Sequence, residues 1–469
     1  MNGTLLNGNL VKFSPVKEAA ANGATRGYVT ACHDDSALRR AARNLQLPDV
    51  YGASYGGLQL DRPMLVTEAE ASRFGDDLRA LLDLLVDLPG RLVGGDLAAF
   101  CTRIGMHPDL AELVTKGAEQ PLPRYGRADA YHDGEGFRVL ELNVGSEVGG
   151  IDTAQLNRAY LEVPAFAEFA AAHDLTFVDP LPRVADLLRS AGAAVTDAEP
   201  TVALIECNGG LAAHEHVFAA IQEAMATVGI RLLLGELDDL GSRGGKVTLR
   251  DEPVDVILRY FVAGELVSDA SGRRALELIL DAEGTALFTP LSAAAFASKA
   301  ALGLLHDPAV RSSGLSSTER ALVDRIVPWT RMLSPGVESG TDPGDLDELV
   351  ERCRSEREDL VVKPGTGYGG VGTVVGHDVS DDEWAAVLHD ATAGGRGDLV
   401  VQRRVRPATE TVLDADTGEP SEWVANWGLF VDPDGHAGGF VRALRPEHGA
   451  IVSYSNKETR GTCVFTTPS

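Results

Sequence analysis

The segment Tyr125–Asn143 restricts the fold of this chain more than any other part of its sequence. Two runs with alternating side-chain character flank an Asp133-Gly134 pair, and an Asp-Gly pair between such runs is a strong signal for a β-hairpin. Because successive side chains on a strand point to opposite faces, every second residue of a run shares one face. The sequence therefore predicts a hairpin that brings particular polar side chains together.

Four polar side chains share a face of this predicted hairpin. A turn centred near Glu135 places Asp129 opposite Glu141 and Arg127 opposite Asn143. Two carboxylates that face each other across a strand pair repel, and a bound hard cation removes the repulsion. Asp, Glu and Asn supply the oxygen ligands that Mg²⁺ prefers, so one interpretation is a magnesium site. The alternative is an exposed hairpin edge with solvated charges.

Composition and charge restrict the class of protein. The 469 residues, of which 44% are hydrophobic, suffice for two or three domains with their own cores. No apolar run approaches the roughly 20 residues of a membrane span, and the first residues do not resemble a secretory signal. Five scattered cysteines without a CxxC pair indicate a reducing, cytoplasmic environment. The net charge of -27 disfavours nucleic acids and anionic membranes as partners, so any phosphate site must be built locally.

Strands and helices alternate in the middle of the chain. The run Thr201–Cys207 has the pattern of a buried strand, a glycine-containing turn follows, and His214–Val228 has the pattern of a helix. Two further apolar runs predict more strands. This alternation is typical of a small parallel α/β domain. We interpret His214 and His216 as ordinary residues at a helix start.

A glycine-rich segment from Gly365 to Gly370 satisfies the pattern GxGxxG. A dinucleotide-binding loop needs a helix immediately after it, whereas a second strand is predicted here, and no GK[ST] sequence closes a P-loop. A loop between two strands can instead fold over phosphates and offer them its backbone N–H groups. Lys363, at the end of the first strand, can reach such a phosphate. The alternative is an ordinary glycine-rich hairpin with an exposed lysine.

Three more positions are candidates for nucleotide contacts. The strand that begins at Leu399 turns polar at Gln402, and such a segment can border an adenine ring. Lys299 lies in an otherwise apolar stretch, where a lysine either extends to solvent or points at an anion, and the fragment alone favours solvent. Arg442 lies on the last strand of a second predicted hairpin, where an arginine usually lies on the surface.

Taken together and in this order, these motifs resemble the circularly permuted ATP-grasp ligases, a family that includes pheganomycin-type peptide ligases and, more distantly, glutathionylspermidine synthase. The motifs are G-R-x-D at Gly126–Asp129, E-x-N at Glu141–Asn143, S-K at Ser298-Lys299, V-K-P-x-x-G at Val362–Gly367, V-Q at Val401-Gln402, and the arginine strand at Gly439–Arg442. In permuted members the E-x-N strand precedes the two lysines, as it does here.

The resemblance implies an α/β (α+β) fold, with the ATP-grasp core in circularly permuted order and a small parallel α/β (pre-ATP-grasp) domain. It divides the chain into an N-terminal helical and loop region at 1–120, the metal-binding hairpin part of the ATP-grasp core at 121–175, the βα pre-ATP-grasp-like domain at 176–290, and ATP-binding lobes with a glycine-rich lid at 291–469. The first hundred residues carry no part of the resemblance.

The resemblance also implies a role for each matching residue. Asp129, Glu141 and Asn143 would hold Mg²⁺. Arg127 and Arg442 would act on the transferred phosphate as catalytic residues. Contacts to ATP would come from the lysines, the glycine loop and the strand after it, namely from Lys299, Lys363, Gly367, Tyr368, Gly369, Gly370, Gln402, Arg403 and Val405.

The implied activity is that of an ATP-dependent carboxylate-amine ligase. A carboxylate would attack the γ-phosphate of ATP, and an amine would displace phosphate from the acyl phosphate to form an amide or peptide bond, with Mg²⁺ as cofactor. The partners would be a small carboxylate and a small amine (an amino acid or peptide), as in natural-product biosynthesis, and a homodimer is the base-rate expectation. Ser146 matches a small polar position near the acyl acceptor and would bind substrate. The region around Arg259 and Tyr260 is a further candidate for the acceptor pocket.

Three other functions stay open at this level. A carboxylate-thiol ligase could load an amino acid onto an acyl carrier protein, although carrier proteins are usually acidic and the charge of this chain would repel them. A non-catalytic nucleotide- or small-molecule-binding protein is disfavoured by the complete set of metal ligands and lysines. A phosphotransferase would release ADP without inorganic phosphate. The sequence names neither the acid nor the amine.

Overall fold

Four β-sheets and the helices around them form the part of the chain that this computed structural model describes, which is residues 23–55, 59–333, 343–367, 369–392 and 399–468. The predicted nucleotide contact Tyr368 lies outside the described residues. The strands are β1 (Met64–Thr67), β2 (Gly126–His132), β3 (Phe137–Val144), β4 (Thr201–Glu206), β5 (Arg231–Glu236), β6 (Leu240–Arg243), β7 (Lys246–Leu249), β8 (Glu252–Pro253), β9 (Val256–Arg259), β10 (Ala286–Phe288), β11 (Thr330–Met332), β12 (Leu360–Pro364), β13 (Val374–Val375), β14 (Leu399–Arg403), β15 (Thr409–Leu413), β16 (Pro420–Asp432), β17 (Gly435–Leu444) and β18 (Arg460–Thr467). The α-helices are α1 (Gly23–Asp34), α2 (Ser36–Arg39), α3 (Asp49–Tyr55), α4 (Glu68–Val93), α5 (Leu97–Arg103), α6 (Pro108–Thr115), α7 (Ala154–Leu161), α8 (Pro164–Ala172), α9 (Pro180–Gly192), α10 (Gly210–Ala213), α11 (Glu215–Thr227), α12 (Ala270–Leu280), α13 (Ala293–Ala297), α14 (Lys299–Leu304), α15 (Pro308–Ser313), α16 (Ser317–Ile326), α17 (Pro343–Ser355) and α18 (Asp381–Thr392).

The largest sheet has seven strands, in the order β1-β18-β17-β16-β2-β3, with β15 also paired to β16. The predicted hairpin forms β2 and β3 with the predicted register, since Asp129 is opposite Glu141 and Arg127 is opposite Asn143. The second predicted hairpin forms β16 and β17. Because β2 pairs antiparallel with β16, the two hairpins lie side by side. A register irregularity directly after Asp129 locally bends the strand, as β-bulges often do beside functional side chains.

The N-terminal region contributes a strand and a long helix to this sheet. β1 pairs in parallel with β18, although the region 1–120 was predicted to contain helices and loops. The 26-residue helix α4 packs on β16 and β17 through buried residues that include Leu78, Leu81 and Leu85. Thr67 caps this helix by accepting a hydrogen bond from the backbone N–H of Glu70. Among the described helices none is long and apolar enough to cross a membrane, α4 included.

The predicted parallel α/β unit is present. Strands β10, β9, β4 and β5 form one sheet in that order, and all three pairings are parallel. Helices α9 and α11 bury apolar side chains such as Leu188 and Phe218 against one face of this sheet. The chain passes from β4 to β5 on one side and returns to β9 on the other. The carboxyl ends of β4 and β9 therefore form a topological switch point, where open α/β sheets bind ligands.

A smaller antiparallel sheet has the order β11-β14-β12-β13. On one face, buried residues such as Val362 and Val401 pack against α17 and α18. The indole N–H of Trp384 donates to the carbonyl oxygen of Cys353 at 2.8 Å and joins these two helices. The other face carries Lys363 and is turned toward the β2–β3 hairpin, since its Nζ lies 3.5 Å from the carbonyl oxygen of Leu140. A cleft forms between the two sheets.

Arg259, at the end of β9, joins the parallel sheet to the turn that follows β3. Its side chain is 2% exposed and donates to the carbonyl oxygens of Thr289 at 2.7 Å and Phe261 at 2.6 Å. It also donates to Oε2 of Glu147 at 2.7 Å, and Glu147 is itself largely buried. A buried carboxylate without a cationic partner is strongly destabilising, so this ion pair holds two parts of the fold together.

Replacement of Arg259 by alanine is expected to lower the free energy of unfolding by about 3–5 kcal/mol, because Glu147 would lose its partner in a buried position. The matched control is Arg231→Ala, since the exposed pair of Arg231 with Glu252 should contribute only about 0–1 kcal/mol. Urea-induced unfolding followed by circular dichroism measures both values. Equal and small losses in the two variants would contradict the assigned role of Arg259.

Candidate active site

The cleft between the two sheets is lined by more basic than acidic side chains, although the whole chain is acidic. Its walls include two acidic residues, Asp129 and Glu141. They also include six basic residues, namely Arg127, Lys299, Lys363, Arg403, Arg404 and Arg442. The whole chain has 69 acidic and only 42 basic residues. The cleft therefore has a local positive charge of the kind that attracts an anionic ligand.

Asp129 lies between two arginines. Nε of Arg127 donates to its Oδ1 at 3.1 Å, and Nη2 of Arg442 donates to its Oδ2. Burial alone would raise the pKa of Asp129, but the charges of Arg127 and Arg442 outweigh burial and hold the pKa below its ordinary value. The expectation of a surface position for Arg442 is wrong, because this ion pair draws its side chain inward until only 11% is exposed.

Lys299 connects the hairpin to the glycine loop. Its Nζ lies 2.9 Å from Oε2 of Glu141 and donates to the carbonyl oxygen of Gly367 at 3.0 Å. Its backbone N–H donates to the carbonyl oxygen of Gly365 at 2.9 Å. The expectation that Lys299 extends to solvent is wrong, because α14 is a buried helix and the carboxylate of Glu141 pairs with the ammonium group. Lys299 therefore points toward the cleft.

Lys363 faces the same cleft from the smaller sheet. Its Nζ donates to Oε1 of Gln402 at 2.7 Å. Burial, opposed by the charges of Glu141 and Asp129 and assisted by that of Lys299, lowers the pKa of Lys363 to about 8. Gln402, which was predicted to border an adenine ring, is 2% exposed and also donates to Oγ1 of Thr330 at 3.1 Å. Gln402 thus lies on the wall of the cleft and positions Lys363.

Two asparagines add oxygen atoms to the cleft. Asn143 donates through Nδ2 to Oε1 of Glu141 at 3.4 Å. Asn426, opposite Arg442 on β16, is 6% exposed, and its Oδ1 has no hydrogen-bond partner among the described residues. Asn426 was not among the site residues predicted from the sequence. The available signal was a single polar residue within the apolar run from Val424 to Val431.

The glycine loop covers the cleft. Gly369 and Gly370 have φ angles of 66° and 75°, which strain any residue with a Cβ. A Cβ on Gly370 would lie 2.8 Å from Cγ2 of Ile451, so the loop contacts the segment between β17 and β18. Gly367 also lines the cleft. The cleft is therefore lined by the three described glycines that were predicted to bind nucleotide, Gly367, Gly369 and Gly370.

Part of the cleft wall is apolar. Val405, predicted to border adenine, packs in one cluster with Leu140, Val424 and Val452, and Val361 and Val375 also line the cleft. Arg403 also lines the cleft, but its Nη2 pairs with Oε2 of Glu356 at 2.7 Å. An apolar slot beside a cluster of basic groups suits a ligand with a flat ring at one end and anionic groups at the other.

Ser146 does not face the cleft. Its Oγ lies 2.6 Å from the carbonyl oxygen of Arg259 and 3.0 Å from that of Phe288, and it accepts a hydrogen bond from the backbone N–H of Thr289 at 3.0 Å. The residue is 2% exposed. The predicted substrate contact is therefore corrected, because a buried hydroxyl group with these internal hydrogen bonds fastens the turn after β3 to the parallel sheet.

Comparison with known proteins identifies a shared fold. No protein-family profile and no curated protein matches the chain. A glutathione synthetase-like effector from Globodera pallida aligns with a TM-score of 0.53 and 12% identity, over 94% of this chain and 96% of that chain. A protein assigned as a gamma-glutamylcysteine synthetase from Methylobacillus flagellatus KT aligns with a TM-score of 0.39 and 14% identity, over 86% of this chain and 89% of that chain. The first of these likenesses shows a similar fold.

The ε-amino group of Lys363 is expected to react with a brief pulse of acetic anhydride along a pH profile whose midpoint lies near its pKa of about 8, because only the neutral amine reacts. Mass spectrometry of the peptide that carries Lys363 measures the profile. The Glu141→Gln variant should move the midpoint to lower pH, since the charge of Glu141 favours the protonated amine. A midpoint near the ordinary lysine value of about 10.4 would contradict the described environment.

Proposed function

We propose that this chain is an ATP-dependent carboxylate-amine ligase with an ATP-grasp core in circularly permuted order. The observation that carries the proposal is the cleft, where two opposed carboxylates, two lysines and two arginines meet beneath a glycine loop. The hairpin precedes the lysines in the chain, which is the order in the permuted ligases that the sequence resembles. The fold shared with a glutathione synthetase-like effector supports a ligase of this general kind.

ATP would bind along the cleft with its two ends in different surroundings. Lys299, Lys363 and the glycine loop would contact the phosphates, and the apolar slot at Val405 would hold adenine. A phosphate beside Lys363 would favour its protonated form and so reverse the effect of burial on its pKa. Arg127 and Arg442 would stabilise the negative charge on the transferred phosphoryl group.

The donor atoms of the hairpin fit a magnesium ion. Asp129, Glu141 and Asn143 present carboxylate and amide oxygens on two paired strands, and the buried amide oxygen of Asn426 has no hydrogen bond to the described residues. Hard cations such as Mg²⁺ take oxygen ligands of this kind. An ion held by these residues would neutralise negative charge on the phosphates of ATP.

The reaction would proceed through an acyl phosphate. The substrate carboxylate attacks the γ-phosphorus of ATP, the bond to the β-phosphate oxygen breaks, and ADP leaves. The amine then attacks the acyl carbon, inorganic phosphate leaves, and an amide forms with loss of one proton from the nitrogen. The glycine loop and the segment around Ile451 would exclude water, which would otherwise hydrolyse the acyl phosphate.

The direct test is product release with Mg²⁺, ATP and pairs of small acids and amines. A ligase should release ADP and phosphate in equal amounts, and only when ATP, an acid and an amine are all present. ADP without phosphate would identify a phosphotransferase instead. Binding of ATP without any ADP release from a broad panel of acids, amines and carrier thiols would overturn the proposal in favour of a binding protein.

The Asp129→Asn and Glu141→Gln variants are each expected to lower the rate of ADP release by roughly 10²–10³-fold or more, because each removes charge that positions and neutralises the phosphates. Glu135→Gln is the matched control, since Glu135 is exposed at the turn of the same hairpin. Circular dichroism checks that each variant keeps the fold. Full activity in either Asp129→Asn or Glu141→Gln would refute the assigned metal site.

A further inference from the structure

A second cavity adjoins the cleft. It has a volume of about 350 Å³, within the range of about 300–1,000 Å³ that is typical of small-molecule pockets. The cavity and the cleft share two lining residues, Arg127 and Asn143. The cavity also reaches the switch point of the parallel sheet, through Glu206 at the end of β4 and Tyr260 directly after β9. A molecule in this cavity would therefore lie beside Arg127, which the proposed function assigns to the transferred phosphate.

The second cavity has both basic and acidic residues in its walls. Arg127 also lines the cleft, while Glu147 and Glu206 line only the second cavity. The charge of Glu147 is balanced by Arg259 at 2.7 Å. Glu206 forms no ion pair within the described ranges, and its Oε1 accepts a hydrogen bond from the backbone N–H of Cys207 at 2.7 Å.

The carboxylate of Glu206 has no ion-pair partner among the residues that the structure describes. Burial raises its pKa, and the nearby charge of Glu265 raises it further. His214, which also lines the cavity, acts in the opposite direction when it is protonated. A permanent cation beside Glu206 would stabilise its ionised form, since an opposite charge compensates for lost hydration.

Two aromatic side chains line the same cavity as Glu206. The rings of Phe218 and Tyr260 pack edge to face, with their centroids 5.7 Å apart. The hydroxyl oxygen of Tyr260 is buried and has no hydrogen-bond partner in the described part of the chain. A buried hydroxyl group without a partner is unusual in a folded protein and is readily explained by a ligand that supplies one. Val217 and Val262 extend the apolar surface of the cavity.

We propose that this cavity binds the acid substrate, and that this acid is an amino acid with a free ammonium group and an apolar or aromatic side chain. The inference rests on the proposed ligase function. The carboxylate to be activated would lie beside Arg127, the ammonium group would donate to Glu206, and the side chain would pack on Phe218 and Tyr260. The nitrogen of the attacking amine must lie at the acyl carbon beside Arg127, so it is not the nitrogen that pairs with Glu206. The ammonium group near Glu206 therefore belongs to the acid.

The test compares acids with and without the ammonium group. L-phenylalanine and L-leucine are offered as acids against 3-phenylpropionate and 4-methylpentanoate, with glycinamide as an amine that has no free carboxylate. The unaltered chain should use each amino acid with a kcat/KM at least about tenfold above that of its deaminated counterpart, as expected for one charge-assisted hydrogen bond.

Two substitutions test whether residues of this cavity cause the preference for amino acids over the deaminated acids. Glu206→Gln should raise the KM for the amino acids at least about tenfold and remove the preference over the deaminated acids, with little change in the KM for ATP. Tyr260→Phe should raise the same KM by about two- to tenfold, as expected for a neutral hydrogen bond, and it keeps the aromatic ring. Glu215→Gln is the control, since Glu215 is exposed nearby and does not line the cavity.

The outcomes separate this inference from the proposed function. Ligase activity that prefers acids without an ammonium group, or that is unchanged in Glu206→Gln, would overturn the inference and leave the ligase standing. ATP binding without ADP release for any acid would overturn the proposed function. Loss of the amino-acid preference in Glu206→Gln, with folding intact by circular dichroism, would support the assignment of this cavity.

Discussion

The buried contact of Asp129 with Arg127 and Arg442 is the interaction on which the rest of the site depends. A single carboxylate receives two guanidinium groups, so its charge is more than balanced and its pKa stays low despite burial. The three residues come from two strand hairpins that are about 300 residues apart in the chain and meet where β2 pairs with β16. If this pairing were lost, Asp129 would lose Arg442 and keep only Arg127, which lies on its own strand.

The β2–β3 hairpin also positions other charged groups of the cleft. Glu141, opposite Asp129, pairs with Lys299, and Lys299 in turn holds the glycine loop through Gly367. Lys363 approaches from the smaller sheet, where burial destabilises its charged form. A surface with a net charge of -27 repels anions at a distance, so binding of phosphates must depend on this short-range cluster. Under the proposed function, the basic groups of the cleft would bind the phosphates of a nucleotide and the apolar cluster at Val405 would bind its ring.

The parallel sheet is attached to the turn after β3. Arg259 and Ser146 make this connection at the carboxyl end of β9 through buried hydrogen bonds, so neither is free to contact a ligand. Tyr260, the next residue after Arg259, instead faces the second cavity. Neighbouring residues at the end of one strand thus serve different purposes, because successive side chains on a strand point in opposite directions. Arg127 and Asn143 line both cavities, so these two residues could contact a molecule in either one.

The sequence by itself determined the features that depend on local geometry. The Asp-Gly turn and the alternation of side chains were enough to place Asp129 opposite Glu141, and the strand-helix alternation was enough to predict the parallel sheet. Only the tertiary structure decided which polar side chains are buried and what they contact. Lys299 and Arg442 turned inward, Ser146 became internal, and Asn426 joined the cleft, since each depends on residues far away in the chain. The physical reason is that register follows from neighbouring residues, whereas the burial and pairing of a charge are set by whichever distant strand packs against it.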